Sequence, residues 1–140
     1  MALQKSDYFV ENRVGRLVAT RLCSMHDVQQ VTRVQMAMSK ALQRVSGRAV
    51  LCADWRTIDI FSPEVADAVV AMLAVTNPKI LRSAILLSPQ AATFNLQAER
   101  VIRDANNPAR KSFRDREKVL DWFAECLEPE ELQSARDFLT

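Results

Sequence analysis

Residues 49–64 read AVLCADWRTIDIFSPE, and this stretch decides the fold class. Its first part, residues 49–53, is a short continuous apolar run, which is typical of a central strand covered on both faces. Ser62 supplies a capping hydroxyl, Pro63 suits the first helical position, and Glu64 is an acid in the first turn. A buried strand that leads through a loop into a capped helix is half of a parallel strand–helix–strand unit.

The same pattern recurs downstream. Residues 84–87 form a second apolar run, and Ser88 with Pro89 repeats the hydroxyl–proline pair that opens a helix. We predict that residues 49–53 and 84–87 are adjacent, buried central strands. Because strands alternate with helices, parallel pairing through right-handed crossovers is expected.

Residues 8–22 are predicted to form a β-hairpin ahead of these units. Asn12 and Gly15 occupy the first and fourth positions of a turn, as in a type I turn closed by a left-handed glycine. A long amphipathic helix follows, capped by Ser24 or Asp27.

The end of the chain adds a short edge strand at 111–114 and two helices, started by Asp115 and Pro129. The whole pattern predicts an α/β fold: a mixed, mainly parallel sheet opened by a β-hairpin, with four to five helices packed on it. We expect residues 1–140 to form one domain, with a core at about 7–127 and a C-terminal helix at about 129–139.

Composition excludes several functional classes. The 140 residues are 49% apolar and 26% charged, as in ordinary globular domains. No stretch approaches the roughly 18 apolar residues of a transmembrane helix, and the N-terminus has no signal-peptide core. We therefore expect a cytoplasmic protein with no transmembrane segment.

Metal, nucleotide and disulfide chemistry are not expected either. The three cysteines are far apart and form no CxxC pair, which argues against a zinc site or a disulfide framework. The chain contains two glycines, and therefore lacks the glycine-rich loops that bind nucleotide phosphates. The sequence predicts no cofactor and no metal.

Basic residues are concentrated between residues 100 and 118. The overall charge of +2 is too small for a nucleic-acid binder, so no nucleic-acid partner is expected. The cluster is compatible with binding of a small anionic ligand or lipid head group, but charge runs are more often simply solvated helix faces. The candidate anion-binding residues are Arg110, Lys111, Arg114 and Arg116.

A second alternative is a small enzyme that uses Cys23 or His26. Both residues lie within one short stretch that also contains Asp27. Catalytic triads are normally assembled from separate elements, so that the base reaches the nucleophile. We therefore favour a protein that is not an enzyme.

The loop after residues 49–53 is the candidate interaction surface. It lies at the carboxyl end of a buried strand, where open α/β sheets usually place their sites. Its mixture of aromatic, arginine and aliphatic residues is typical of interface hot spots, although its apolar residues could instead pack beneath the next helix. Asp54 is interpreted as a loop anchor that accepts backbone amides. The residues assigned to this surface are Asp54, Trp55, Arg56, Asp59 and Ser62.

The order of elements and two patches resemble the STAS domain, in its SpoIIAA-like branch. The patches are the strand end at 50–54 and the closing segment 112–123, SFRDREKVLDWF. The resemblance implies a non-enzymatic bacterial regulatory or protein-interaction module. The partner it implies is a protein, such as a regulatory kinase, or a second copy in a dimer.

The resemblance also implies a phosphorylation site. In the sigma-regulatory members, a partner kinase phosphorylates a serine just before the second helix. The matching hydroxyl here is Ser62, in the stretch 60–64, which lacks the aspartate–serine pair and the glycine of that motif.

Overall fold

The structure is a computed structural model that describes residues 8–140. One five-stranded sheet runs in the order β1-β2-β3-β4-β5; β1 and β2 are antiparallel and all other neighbours are parallel. The strands are β1 (Tyr8–Asn12), β2 (Leu17–Leu22), β3 (Ala49–Asp54), β4 (Ile80–Leu86) and β5 (Arg110–Phe113). The helices are α1 (Val28–Gln43), α2 (Pro63–Thr76), α3 (Ala92–Asp104), α4 (Arg116–Phe123) and α5 (Pro129–Phe138).

The two apolar runs form the centre of the sheet, as predicted. Strands β3 and β4 pair in parallel, with Cys52 opposite Ala84, and every residue of β3 is buried. The predicted α/β class and the opening hairpin are likewise confirmed. Residue 7, at the start of the expected core, lies outside the described residues.

Helices cover both faces of the sheet, in two layers. The crossovers through α1, α2 and α3 all step in the same direction along the sheet, and right-handed connections therefore place these helices on one face. Leu51 and Ala53 of β3 point into that layer. Val50 and Cys52 point to the opposite face, where α4 and α5 complete a second apolar core.

The predicted start of α3 is wrong. The helix begins at Ala92 without a side-chain cap, and Ser88 lies in the turn before it. The Ser88 carbonyl accepts a hydrogen bond from Asn95 Nδ2 at 2.8 Å, so Ser88 contacts a side chain of α3 without being part of the helix or capping it. For α1 the sequence offered Ser24 and Asp27 as candidate caps, and Asp27 caps the helix.

Gly15 fixes the β1–β2 turn against α5. Its φ is +57°, and a Cβ at this position would lie 2.3 Å from Glu131 Oε2. Glu131 is buried and accepts hydrogen bonds from the backbone amides of Arg16 at 2.7 Å and Glu128 at 2.8 Å. The carboxylate therefore cannot move aside without losing both bonds.

We expect Gly15→Ala to lower the free energy of unfolding by about 2–3 kcal/mol, from left-handed backbone strain plus displacement of Glu131. Gly47→Ala is the matched control, since Gly47 has φ +78° and nothing within 4 Å of the added Cβ. That variant should lose only about 1 kcal/mol. Urea denaturation measures both, and equal losses would contradict the role given to Glu131.

Candidate functional site

Asp54 anchors the loop at the carboxyl end of β3. The residue is 4% exposed, and its carboxylate accepts hydrogen bonds from the backbone amide of Arg56 at 3.0 Å and from Arg56 Nε at 3.0 Å. Arg21 Nε, on the neighbouring strand β2, donates a further bond at 3.1 Å. The prediction that Asp54 is a loop anchor is confirmed, and the prediction that it lies on a contact surface is wrong because its side chain is buried.

The two arginines determine the charge state of Asp54. Burial alone would raise the pKa of this carboxyl, but hydrogen bonds from Arg56 and Arg21 outweigh burial, so the pKa lies below its usual value. Asp54 is therefore ionised at neutral pH, and its carboxylate oxygens are hydrogen-bonded to Arg21 and Arg56.

The same arginines bind the end of α5. Arg21 Nη2 donates to the Phe138 carbonyl at 3.1 Å, and Arg56 Nη2 donates to the Leu139 carbonyl at 3.3 Å. The Arg21 guanidinium also stacks 4.6 Å from the centre of the Phe138 ring. Sequence reasoning missed this contact, because its partners lie more than 80 residues apart along the chain.

Trp55 is in the core, and its prediction as a surface residue is wrong. The residue is 2% exposed, and its ring centre lies 6.0 Å from that of Phe61 and 6.4 Å from that of Phe94. Phe61 and Phe94 are themselves 5.3 Å apart in an edge-to-face arrangement. Three aromatic residues from β3's end, the loop and α3 thus hold the loop against the helix layer.

The second half of the loop does reach solvent. Asp59 and Ser62 are exposed, and Ile60 is 59% exposed, whereas Ile58 is 4% exposed. The alternative interpretation, that the apolar loop residues pack beneath the next helix, therefore holds for Ile58 and Phe61 but not for Ile60. Ser62 Oγ accepts a hydrogen bond from the Val65 amide at 3.2 Å and caps α2.

Gln97 of α3 fixes the backbone next to Ile60. Its Oε1 accepts from the Phe61 amide and its Nε2 donates to the Phe61 carbonyl, both at 2.8 Å. The helix neighbour of Gln97 is Leu96, whose side chain is 70% exposed. Ile60 and Leu96, both exposed, are therefore chain neighbours of the two residues joined at this hydrogen-bonded junction.

A groove of about 270 Å³ separates α2 from α3 beside this junction. Its apolar part comes from Ala66, Val70 and Val101, and charged side chains stand along it. We use the term α2–α3 surface for this groove together with the exposed residues next to it. The members are Asp59, Ile60, Ser62, Pro63, Ala66, Asp67, Val70, Leu96, Gln97, Arg100, Val101 and Asp104.

Arg110 does not belong to an anion-binding patch, contrary to the sequence prediction. It is 4% exposed and donates to Asn77 Oδ1 at 2.7 Å and to Thr76 Oγ1 at 3.2 Å. Burial lowers its pKa to about 10, so it stays protonated at neutral pH. Because Arg110 also reaches the Leu73 carbonyl, it binds the C-terminal end of α2, where a helix favours a cation.

The other three basic candidates each have a different partner. Lys111 is exposed and its Nζ lies 5.1 Å from the centre of the Trp122 ring. Arg114 forms an ion pair with Glu99 at 3.2 Å, and Arg116 donates to the Arg136 carbonyl at 3.1 Å. Anion binding by Lys111, Arg114 and Arg116 stays a prediction.

The cysteines and the histidine do not form a nucleophile–base pair. Cys23 is half-buried and His26 is exposed, and no hydrogen bond links their side chains within residues 8–140. Burial and the nearby Asp54 raise the pKa of the Cys52 thiol to about 12, and burial also raises that of Cys126. Protonated thiols are poor nucleophiles.

Two further features concern the part of the chain that the structure describes. There, no cluster of three or more His, Cys, Asp or Glu side chains is arranged to hold a metal ion. None of the helices in that part combines the length and the apolar character needed to cross a membrane. The absence of a cofactor stays a prediction.

Comparison with known proteins identifies the fold. No family model matches the chain, and no curated protein matches it either. Among solved structures, it is similar to an uncharacterized DUF3478-family protein with a SpoIIAA-like fold from Shewanella loihica, at 17% identity and a TM-score of 0.62. That match covers 87% of this chain and 98% of the other. The fold is SpoIIAA-like.

A second solved structure supports the same conclusion. It is the anti-sigma factor antagonist SpoIIAA in its unphosphorylated form, at 14% identity and a TM-score of 0.51, covering 86% of this chain and 99% of that one. The resemblance found in the sequence is therefore confirmed as a SpoIIAA-like fold. In that fold, Ser62 occupies the start of the second helix, directly after the loop that follows β3.

Proposed function

We propose that this SpoIIAA-like domain is a non-enzymatic interaction module of a bacterial regulatory system, and that a partner protein binds its α2–α3 surface. The observation that carries the proposal is the pair of exposed aliphatic side chains, Ile60 at 59% and Leu96 at 70% exposure, beside a fixed backbone junction. Apolar anchors on a rigid support lose little conformational entropy on binding.

The charges around these anchors support the same proposal. Asp67, Arg100 and Asp104 stand along the groove, and Asp59 lies next to Ile60. An apolar centre with a charged, solvated rim is the usual anatomy of a specific protein–protein interface. Opposite charges on the rim would orient a partner and select against others.

Phosphorylation of Ser62 by a partner kinase is the regulation we propose for this surface. The hydroxyl is exposed at the start of α2, where backbone amides and the helix dipole favour a phosphate group. The similar structure of the anti-sigma factor antagonist SpoIIAA is of its unphosphorylated form. A phosphate between Ile60 and the groove would change the charge of the α2–α3 surface directly.

The test replaces the two anchors together, as Ile60→Asp with Leu96→Asp. We expect chemical cross-linking in the source bacterium, followed by affinity capture, to lose the partner that the wild-type chain retains. The matched control is Met36→Asp with Val75→Asp, because these residues are 58% and 56% exposed on other parts of the helix layer. Equal partner recovery by both variants, at unchanged melting temperature, would refute the proposal.

A further inference from the structure

Strand β1 leaves one edge of the sheet open. It pairs with β2 on one side, and within residues 8–140 no strand pairs with its other side. Edge strands are usually protected by proline, charged side chains or a very short length; Tyr8–Asn12 reads YFVEN, and Glu11 is its one charged residue. The opposite edge, β5, is only four residues long and contains Lys111.

A groove of about 440 Å³ runs between this open edge and α1. Its apolar side chains are Val10 of β1 and Ala37 and Ala41 of α1. Asn12 also lines it; the side chain donates to the Ala41 carbonyl at 2.8 Å, while Oδ1 is buried and has no donor. The groove therefore offers apolar surface and the unpaired acceptor Asn12 Oδ1. Both lie beside the backbone of β1, whose outer side pairs with no strand in the described residues.

The wall of this groove is positively charged. The α1 segment, VQQVTRVQMAMSKALQ, contains no acidic residue. Lys40 and Arg44 line the groove, and Arg33 continues the same helical row through Ala37. All three cations are exposed and form no ion pair in the described part of the chain.

Little on β1 itself opposes that positive charge. Its single acidic residue, Glu11, also lines the groove, but its carboxylate is paired with Arg13, whose Nη1 lies 2.6 Å from Glu11 Oε1. On the other face of the strand, Phe9 is 38% exposed and stacks on Phe138. The open edge thus presents apolar surface on both faces and unpaired cations on one.

We propose that the open edge of β1 and the β1–α1 groove bind an extended acidic segment of a partner protein as a sixth strand of the sheet. Backbone hydrogen bonds to β1 provide affinity, as in other cases of strand addition. Apolar side chains of the segment lie over Val10 and Ala41, and its carboxylates contact Lys40 and Arg44. This site lies on the opposite side of α1 from the α2–α3 surface and does not depend on it.

A synthetic probe tests the proposal: a fluorescein-labelled peptide Val-Glu-Glu-Val-Val-Glu-Glu-Val, which presents both residue types on both of its faces. Fluorescence anisotropy should show saturable binding that weakens as salt is added. Lys40→Glu with Arg44→Glu should weaken binding at least about tenfold, since two attractive pairs become repulsive. The matched control, Arg103→Glu with Lys118→Glu, removes two exposed cations elsewhere and should bind the peptide like the wild type.

The backbone contribution is tested with the same peptide N-methylated at alternate residues, prepared in both registers. At least one register should lose binding, because methylation removes the donors that face β1. Binding of both methylated peptides as tight as that of the unmodified peptide, equal binding by the two charge-reversal variants, or no saturable binding of the unmodified peptide would each overturn the proposal. A wild-type chain that sediments as a dimer and becomes monomeric with Val10→Lys would assign the edge to a second copy, and would overturn it too.

The variant Ile60→Asp with Leu96→Asp separates this site from the proposed function. It should bind the probe peptide with wild-type affinity, because neither residue lines the β1–α1 groove. Loss of probe binding in that variant would contradict the separate location of the two sites.

Discussion

Trp55→Ala is expected to lower the free energy of unfolding by about 4 kcal/mol, the range seen when a fully buried aromatic side chain is removed. The indole is 2% exposed and contacts Phe61 and Phe94, so the substitution leaves a cavity and also releases the loop from α3. Urea denaturation followed by circular dichroism measures the change without relying on tryptophan fluorescence.

The other tryptophan provides the matched control. Trp122 is half-buried and packs against Phe113 and the Arg82 guanidinium. Trp122→Ala should therefore lower the free energy of unfolding by only about half as much as Trp55→Ala. A contrary result would be a Trp55→Ala protein with nearly wild-type stability that no longer binds its partner. That outcome would place Trp55 in the working surface instead of the core.

Asp54→Asn is expected to lower the free energy of unfolding by about 2–3 kcal/mol, because the change leaves two arginines without their shared carboxylate. The value lies below the roughly 3–5 kcal/mol of a fully buried ion pair, since the side chains of Arg21 and Arg56 are 37% and 33% exposed to screening water. The substitution also weakens the contacts that hold the end of α5, so protection of the α5 amides from hydrogen exchange should fall with it.

The same carboxylate gives a pH dependence of known sign. Its pKa is lower in the folded chain than in the unfolded chain, so its contribution to stability is complete above about pH 4 and is lost as the pH falls through the folded pKa. Urea denaturation between neutral and acidic pH should show this loss in the wild type and a flatter profile in Asp54→Asn. Asp59→Asn, in the exposed half of the same loop, is the control and should keep the wild-type slope. Parallel profiles for wild type and Asp54→Asn would contradict the assignment.

Features that depend on neighbouring residues were predictable from the sequence. The apolar runs at 49–53 and 84–87 mark strands buried on both faces, because no polar side chain alternates with the apolar ones. Caps at Asp27, Ser62 and Asp115 act on backbone amides within three residues, so the sequence shows them directly. The start of α3 was the exception, since Ser88 binds a side chain on the helix instead of capping it.

Features that depend on distant partners were not predictable. Arginine is mostly exposed in proteins and tryptophan is common at interfaces, and nothing beside Arg110 or Trp55 in the chain indicates that each is buried. Phe94 reaches Trp55 from α3, and Asn77 reaches Arg110 from the end of α2. The proposed contact surface therefore consists of the exposed side chains beside the α2–α3 groove, and it does not include Asp54 or Trp55.

The sequence by itself therefore determined the order of elements, the buried strands and the resemblance to a SpoIIAA-like domain. These follow from hydrophobic periodicity and capping, which act over a few residues. Only the tertiary structure decided which polar groups are enclosed, which aliphatic side chains stay in solvent and which strand edge is open. Those properties arise when segments far apart in the chain pack together, because burial depends on the neighbours that the fold supplies to a residue and not on the residue type alone.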